Sequence, residues 1–485
     1  MRVSIERDSS RPLYQQLRQA LEHEIAVGSL GRDQALPSSR ELARELGISR
    51  NTVNTAYQEL EAEGFVEARP RRGIFVNSEM FHEFARGTST PAQSPAVDWS
   101  RHLGVRADAG MREIEKIRDW DRYPYPFVAG QVDSSSFPRL AWARALREAL
   151  DPPHLHFSLR DGVDEDDPML VEQLCRHVLT GRGIEVDPDQ VLVTLGSQQG
   201  LHLLANTLLA PGSVVGVEEP GYLDARHIFV RAGASLRAYE VDRSGMIPPA
   251  DLAGVSLLHL TPSHHSPTNV TLSIGRRRQL LAMAESDDSL IVEDDYDSEF
   301  RYQGSPTPAM KALPDSERVI YLGTFSKFLA PGLRLGYLVG SPELVTELRR
   351  QRRYSVRHPS GHTQRAMALL IASGHYRRTV RRRRADLAKR WSTLRGALEQ
   401  HLSWEVDTPP GGVSIWLAGP AGLDCVELGT RALRRGVVIE RGDIYFADAA
   451  ASRNHVRLGF AALAPEAIEP GVAILGELIR EQVGE

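Results

Sequence analysis

The apolar runs VLVTL at 191–195, SVVGVEE at 213–219, SLLHLT at 256–261, SLIVED at 289–294 and RVIYLG at 318–323 constrain this chain most. Each is strand-like and is followed by a Gly/Pro-containing loop or a helical pattern, so the strands are expected to pair mostly in parallel. From about Phe127 onward the alternation predicts an α/β fold, a mostly parallel sheet with helices on both faces. Ligands of such sheets gather beyond the carboxyl ends of the strands, and the polar clusters of this chain lie there.

At 485 residues the chain exceeds what one core sustains and divides into domains. With 41% hydrophobic and 25% charged residues it has the composition of a soluble globular protein. No run approaches the roughly 18 apolar residues that span a bilayer, so no membrane partner is expected. The opening MRVSIERDSSRPLYQQL lacks the apolar core of a secretory signal. Cys175 and Cys425 are far apart, so neither a disulfide framework nor a metal site is expected, and the expected compartment is the cytoplasm. A net charge of −5 decides nothing about nucleic acid, because a local patch suffices.

Residues 1–78 read as a separate head. Pro12 opens a helix whose stripe is Leu13, Leu17, Leu21 and Ile25, broken by Gly28 and Gly31. In LPSSRELARELG, Ser38 and Glu41 form a capping box and Gly47 stops the helix. Ser49 caps a third helix with Val53, Ala56, Tyr57 and Leu60 inward, and FVEA and GIFV, joined by RPRRG, follow as a basic hairpin. The outline is a winged helix-turn-helix. Arg50, Asn51, Thr52 and Asn54 stand at the end of the third helix that enters a major groove, and Arg and Asn read guanine and adenine edges. Ser38 and Arg40 open the preceding helix, where backbone N–H groups hold phosphate. Arg69, Arg71 and Arg72 crowd the hairpin tip, and Gly73 lets the backbone approach a minor groove.

Residues 79–106, with RGTSTPAQSPAVDW, read as a flexible tether, and 107–485 as the large domain. In YLGTFSKFLAPGLRLGYLVG, Lys327 follows a strand and is flanked by Thr324 and Ser326, with Arg334 downstream. A lysine there can form a Schiff base with pyridoxal 5′-phosphate while the hydroxyls and the arginine hold its phosphate. Gly196, Ser197 and Gln198, at a strand-to-helix junction, supply N–H groups for the same phosphate. Tyr222, in EEPGY, stands where it can stack on the ring.

Two resemblances join these readings. PLYQQL, LPSSRELARELGISRNTV and AYQELEAEGFVEARPRRGIFV resemble the GntR family over residues 11–76, which implies DNA contacts at Arg40, Arg50, Thr52, Arg72 and Gly73. S-K followed by L-R-L-G-Y resembles the lysine region of fold-type I aminotransferases. That resemblance implies Asp294 beside the cofactor's pyridine nitrogen, with Asp295 as the alternative, Tyr296 at its phenolate oxygen and Arg457, in HVRLGFA, on an effector carboxylate. A GntR-like head on an aminotransferase-like body with a small C-terminal α+β subdomain is similar to the MocR subfamily. Membership implies a head-to-tail homodimer that binds double-stranded operator DNA and senses a small amine or amino acid.

The chain departs from the family at TPSHHSPTNVTLS, with His265 and Asn269 where Gln and Gly are usual. His264 beside them is a candidate for the phenolate oxygen. The stretch RDGVDEDDPMLVEQL also departs and is expected near the cofactor or effector pocket. The cationic runs at 349–357 and 376–390 read either as helix faces packed against acidic neighbours or as a DNA-bending surface. The whole reads as a regulator rather than an enzyme. A working aminotransferase with an autoregulatory head, and a DNA-binding dimer with an inert scaffold, are the other readings.

Overall fold

The apolar runs become the strands Val191–Thr194, Val214–Glu219, Leu257–Leu260, Leu290–Asp295 and Val319–Thr324 of one sheet. The structure is a computed structural model that describes residues 5–7, 11–31, 34–77, 97–104, 108, 110–304, 307–447 and 453–484. Most of the tether expected at 79–106 lies outside them.

The sheet has eight strands, with Gly336–Val339 inserted between Val191–Thr194 and Val319–Thr324. That strand is antiparallel to both neighbours, while Val319–Thr324, Leu290–Asp295, Leu257–Leu260, Val214–Glu219 and Ser235–Asp242 pair in parallel. Two reversals cancel, so Val191–Thr194 runs with the parallel set. Gly196, Pro220, Thr261, Tyr296 and Phe325 therefore all leave the sheet at one edge. A three-stranded antiparallel sheet, Ser414–Ala418, His455–Gly459 and Glu440–Arg441, forms the smaller C-terminal part. The helices His375–His401 and Pro465–Val483 supply buried Trp391, Leu394, Val472 and Leu475 to the core that also covers this small sheet.

The chain divides into two compact units, Met1–Gly104 and Val105–Glu485. In the first, Leu13–Ala26 buries Leu17, Leu21 and Ile25. Ser39–Leu46 starts on the expected capping box: the Glu41 N–H donates to Ser38 Oγ at 3.3 Å and the Ser38 N–H to Glu41 Oε2 at 3.0 Å. Gly47 ends that helix at φ 65°, a conformation that glycine adopts without strain. Arg50–Ala62 buries Val53, Ala56, Tyr57 and Leu60, and the strands Val66–Arg69 and Gly73–Val76 close the wing.

The arginine run at 349–357 and the acidic stretch at 161–167 are each other's counter-ions. Arg352, fully buried, donates to Asp166 at 2.6 Å, and Arg349 reaches the same carboxylate at 3.0 Å. Arg357 pairs with Asp161, and Arg365 with Asp167 at 2.8 Å. The acidic stretch expected near the pocket is thus held by these arginines, and it does not line the cavity described below. In the second run, Arg384 donates to Glu299 O and Arg390 to Asp133, while Arg377, Arg378 and Arg381 face solvent. No helix among the described residues is long and apolar enough to cross a membrane.

Candidate functional sites

Lys327 follows the Val319–Thr324 strand on a turn, at the sheet edge where the other loops converge. Its Nζ lies 5.8 Å from the centre of the Tyr296 ring. A Cβ on Gly130 would stand 3.4 Å from Nζ, so this glycine keeps the backbone close to the amine. Burial lowers the lysine's pKa, and the positive charges of Arg457 and Lys116 lower it further, against the partial opposition of Asp297 and Asp294.

The strand Leu290–Asp295 sorts its acids by alternation. Glu293 and Asp295 share one face. Glu293 accepts from the Met310 and Lys311 N–H groups, and Asp295 accepts from Arg182 at 2.8 Å and from the Tyr321 hydroxyl at 2.6 Å. Asp294 points the other way. Its Oδ2 lies 3.7 Å from His259 Nε2, while its Oδ1 is buried without a partner. The alternation thus separates the two aspartates that the sequence left open, with Asp295 engaged away from Lys327. The Tyr296 hydroxyl is also buried and unpartnered. Burial drives its pKa well above the ordinary value, aided by the nearby Asp297 charge.

Beside the lysine, the helix Ser197–Leu208 begins at Gly196, φ 97°, and the Arg334 guanidinium lies 3.4 Å from where a Gly196 Cβ would project. Ser326 Oγ is buried and unpartnered, whereas Thr324 Oγ1 accepts from the Ser326 N–H at 3.2 Å. Tyr222 and Gln198 both donate to Asp224 Oδ2, at 3.2 and 3.4 Å, a carboxylate the sequence reading missed.

His264 is placed differently from its sequence expectation. Its Nδ1 lies 2.8 Å from Asp297 Oδ1 in a buried pair, and Nε2 faces Gly411, so its ring is committed to joining two loops. Asn269 stands at φ 60°, which explains a glycine as the usual residue and Asn as a tolerated one. His265 is buried, its Nδ1 2.7 Å from Thr268 Oγ1, and burial lowers its pKa. Arg457 donates from Nε to Ser414 Oγ at 3.0 Å and from Nη1 to the Tyr445 hydroxyl at 2.8 Å. Glu440 Oε1 lies 3.4 Å from the same Nη1 and also accepts from the Tyr445 hydroxyl. A cavity of about 590 Å³ opens nearby, lined by Arg112, Lys116, Ala129, Gln131, Glu440 and Arg441 among others.

On the head, Arg40, Arg50, Asn51, Arg71, Arg72 and Gly73 are exposed. Arg50 Nε donates to Ser39 Oγ at 3.3 Å, and Arg72 lies 5.8 Å from the Phe75 ring centre. Ser38 and Thr52 are engaged locally. Ser38 Oγ donates to Glu41 at 2.8 Å, and Thr52 Oγ1 is 2.8 Å from Ser49 Oγ.

The large domain's unsatisfied groups define what fits between them. Buried polar atoms without partners are costly unless a ligand satisfies them. Here an acceptor (Asp294 Oδ1), hydroxyls (Tyr296 and Ser326), a helix N-terminus with Arg334 and a low-pKa lysine converge. A protonated ring nitrogen, a phenolate oxygen, a phosphate dianion and an aldehyde match these in turn. The residues present fit pyridoxal 5′-phosphate.

Comparison with known proteins agrees. Residues 13–76 match the gntR family of bacterial regulatory proteins, and residues 130–475 match aminotransferase class I and II. The HTH-type transcriptional regulator TauR of Rhodobacter capsulatus is 39% identical over 469 residues, 96% of each chain. The probable rhizopine catabolism regulatory protein MocR of Rhizobium meliloti is 33% identical, covering 96% of this chain and 94% of its own. Among solved structures, LysN of Thermus thermophilus is an α-aminoadipate aminotransferase complexed with N-(5′-phosphopyridoxyl)-L-leucine. It matches 80% of this chain and 100% of its own at a TM-score of 0.71 and 27% identity. With both parts matched in chain order, this protein belongs to the MocR branch of the GntR-family transcription regulators, in which a DNA-binding winged helix precedes a pyridoxal-phosphate-type aminotransferase domain.

Proposed function

We propose that the large domain is a sensor: a small primary amine is recognised at Lys327, and its arrival changes how the winged helix holds operator DNA. The observation that carries this reading is the set of unpartnered buried groups around a lysine of lowered pKa. Asp294 would hold the ring nitrogen of the cofactor and Tyr296 its phenolate oxygen. Arg334, Ser326, Thr324, Ser197 and the N–H groups at Gly196 would hold the phosphate, with Gln198 beside them. Tyr222 would stack on the ring. When bound, pyridoxal 5′-phosphate supplies an aldehyde carbon that can exchange one amine for another. Burial and flanking cations hold the Lys327 amine toward its neutral, nucleophilic form. Arg457 would stand beside the effector's amine-bearing carbon, where a carboxylate could reach it only in competition with Glu440, which with Tyr445 fixes its plane.

On the head, Arg50 and Asn51 would read base edges, Arg40 would hold phosphate, and Arg71, Arg72 and Gly73 would follow the backbone. The protein would act in the cytoplasm as a head-to-tail homodimer. Exposed Leu140, Leu155 and Leu159, on the helices Arg139–Glu148 and Pro152–Leu159, support burial against a second copy. Turnover is not its task in this reading, although slow half-transamination is compatible with it.

The test is the visible spectrum of purified protein beside Lys327→Ala after loading with pyridoxal 5′-phosphate. A yellow band in the wild type alone, shifted by amines, supports the sensor. No band in folded wild type overturns it, and efficient turnover of amino acid and keto acid pairs favours an enzyme instead.

A further inference from the structure

The charges at the 590 Å³ cavity are matched, with one exception. Arg112 and Arg441 both pair with Asp443, the second at 2.9 Å. Glu115 faces the Arg441 charge, and Glu113 is engaged as well. Glu440 is held by Arg457 and the Tyr445 hydroxyl. Lys116 lines the same cavity, exposed, and has no ion-pair partner among the described residues. It also stands close enough to Lys327 for its charge to be felt there. Ala129 and Gln131 of the cavity wall flank Gly130, whose Cβ position is 3.4 Å from Lys327 Nζ. Gly130 thus joins the cavity wall to the lysine.

Arg457 presents the opposite situation. An effector with its carboxylate on the amine-bearing carbon brings that charge next to Lys327, where Arg457 stands. Arg457 already has an internal acid, with Glu440 Oε1 at 3.4 Å and the Tyr445 and Ser414 hydroxyls completing its contacts. A second carboxylate there must sit beside Glu440, and like charges at such range repel unless one takes up a proton. An effector whose amine-bearing carbon carries no carboxylate avoids that repulsion. Its anionic group can then extend into the cavity.

Resting on the sensor reading above, we propose that Lys116 binds the anionic group of the effector, and that the effector is an ω-amino acid, with amine and anion at opposite ends of a short chain. Glu440 is then a specificity residue: by neutralising Arg457 it disfavours α-amino acids. Lys116 lies ten residues beyond the tether, so the anion engages a segment that leads along the chain to the DNA-binding head.

The experiment titrates protein loaded with pyridoxal 5′-phosphate with β-alanine, γ-aminobutyrate and δ-aminovalerate, and with the isomers alanine, α-aminobutyrate and norvaline. Binding is read by calorimetry and by displacement of the visible band. In the wild type at least one ω-isomer should half-saturate about tenfold or more below its α-isomer. Lys116→Gln should raise that value about tenfold while leaving the α-isomer unchanged, and Lys116→Arg should preserve the preference. Glu440→Gln, which frees Arg457, should lower the half-saturation of the α-isomers. Equal binding of the isomers, a preference for α-isomers, no binding by any of the six, or an ω-preference that survives Lys116→Gln overturns the proposal. A wild type with no visible band overturns the cofactor reading itself, which separates the two failures.

Discussion

Glu293, Asp294, Asp295, Asp297 and Glu299 crowd one short segment, and the surroundings of each decide what it can do. Asp295 has Arg182 and Tyr321 to hold its carboxyl below the ordinary range against burial, which acts to raise it. The Glu299 carboxyl has no ion-pair partner among the described residues, since Arg384 reaches only its backbone carbonyl. Burial, helped by the Asp295 charge, pushes it up to about 7. A carboxyl raised in the folded state takes up its proton there first, so between its unfolded value of about 4.3 and about 7 the folded state binds more protons, and stability falls as pH rises. Glu299→Gln should therefore raise the melting temperature at pH 8 and give no gain at pH 4. A gain of equal size at both values would contradict this assignment. At this scale the sequence is legible where chemistry follows the chain. Lys327, Tyr296 and the paired candidates Asp294 and Asp295 could be named because they sit in continuous patterns. Lys116 and Glu440 could not, since each comes from a distant part of the chain, and Asp224, in the first turn of the helix that Tyr222 caps, carries no pattern of its own. The pairing of His264 with Asp297 was not legible either, because it joins the loops after two neighbouring strands that lie far apart in the chain.

Between elements, ion pairs set the packing. The Asp161–Asp167 stretch and the Pro342–Ser355 helix are remote in sequence; the first was expected near the pocket, and the second either against acidic neighbours or on DNA. The fold brings Asp166 against fully buried Arg352 and half-buried Arg349. Removing one member leaves buried charge uncompensated, which costs about 3–5 kcal/mol. Asp166→Ala should lower unfolding free energy by that order in urea titration, whereas Asp161→Ala, at an exposed pair, should cost well under that. A negligible effect at Asp166 would show that the pair is dispensable. The Gly336–Val339 strand escaped sequence reading for a related reason. GYLV sits inside the lysine pattern, and nothing local marks it as an antiparallel insertion into a parallel sheet. The strand Ser235–Asp242, next to the sheet's end and largely exposed, carries too little apolar signal to stand out.

The whole molecule combines two parts that were each legible: a head whose capping box and αL glycine appear where the sequence puts them, and a sheet whose strands match its apolar runs. Their coupling is a property of neither part alone. The wing contacts to phosphate proposed above can be separated from that coupling by salt. Arg72→Ala should reduce the slope of log K for operator DNA against log salt by roughly 0.9 per head, and an unchanged slope would remove Arg72 from the interface. A ligand shifts DNA binding only by its differential affinity for the two states, typically about 1–3 kcal/mol, or about 5–150-fold. The most direct measurement is operator affinity of the pyridoxal-phosphate-loaded protein with and without an amine that displaces its visible band, for wild type and Lys327→Ala. The sensor reading predicts a change of at least about fivefold in the wild type and none in Lys327→Ala. Identical affinities in the wild type with and without the amine, while the band shifts, would contradict it.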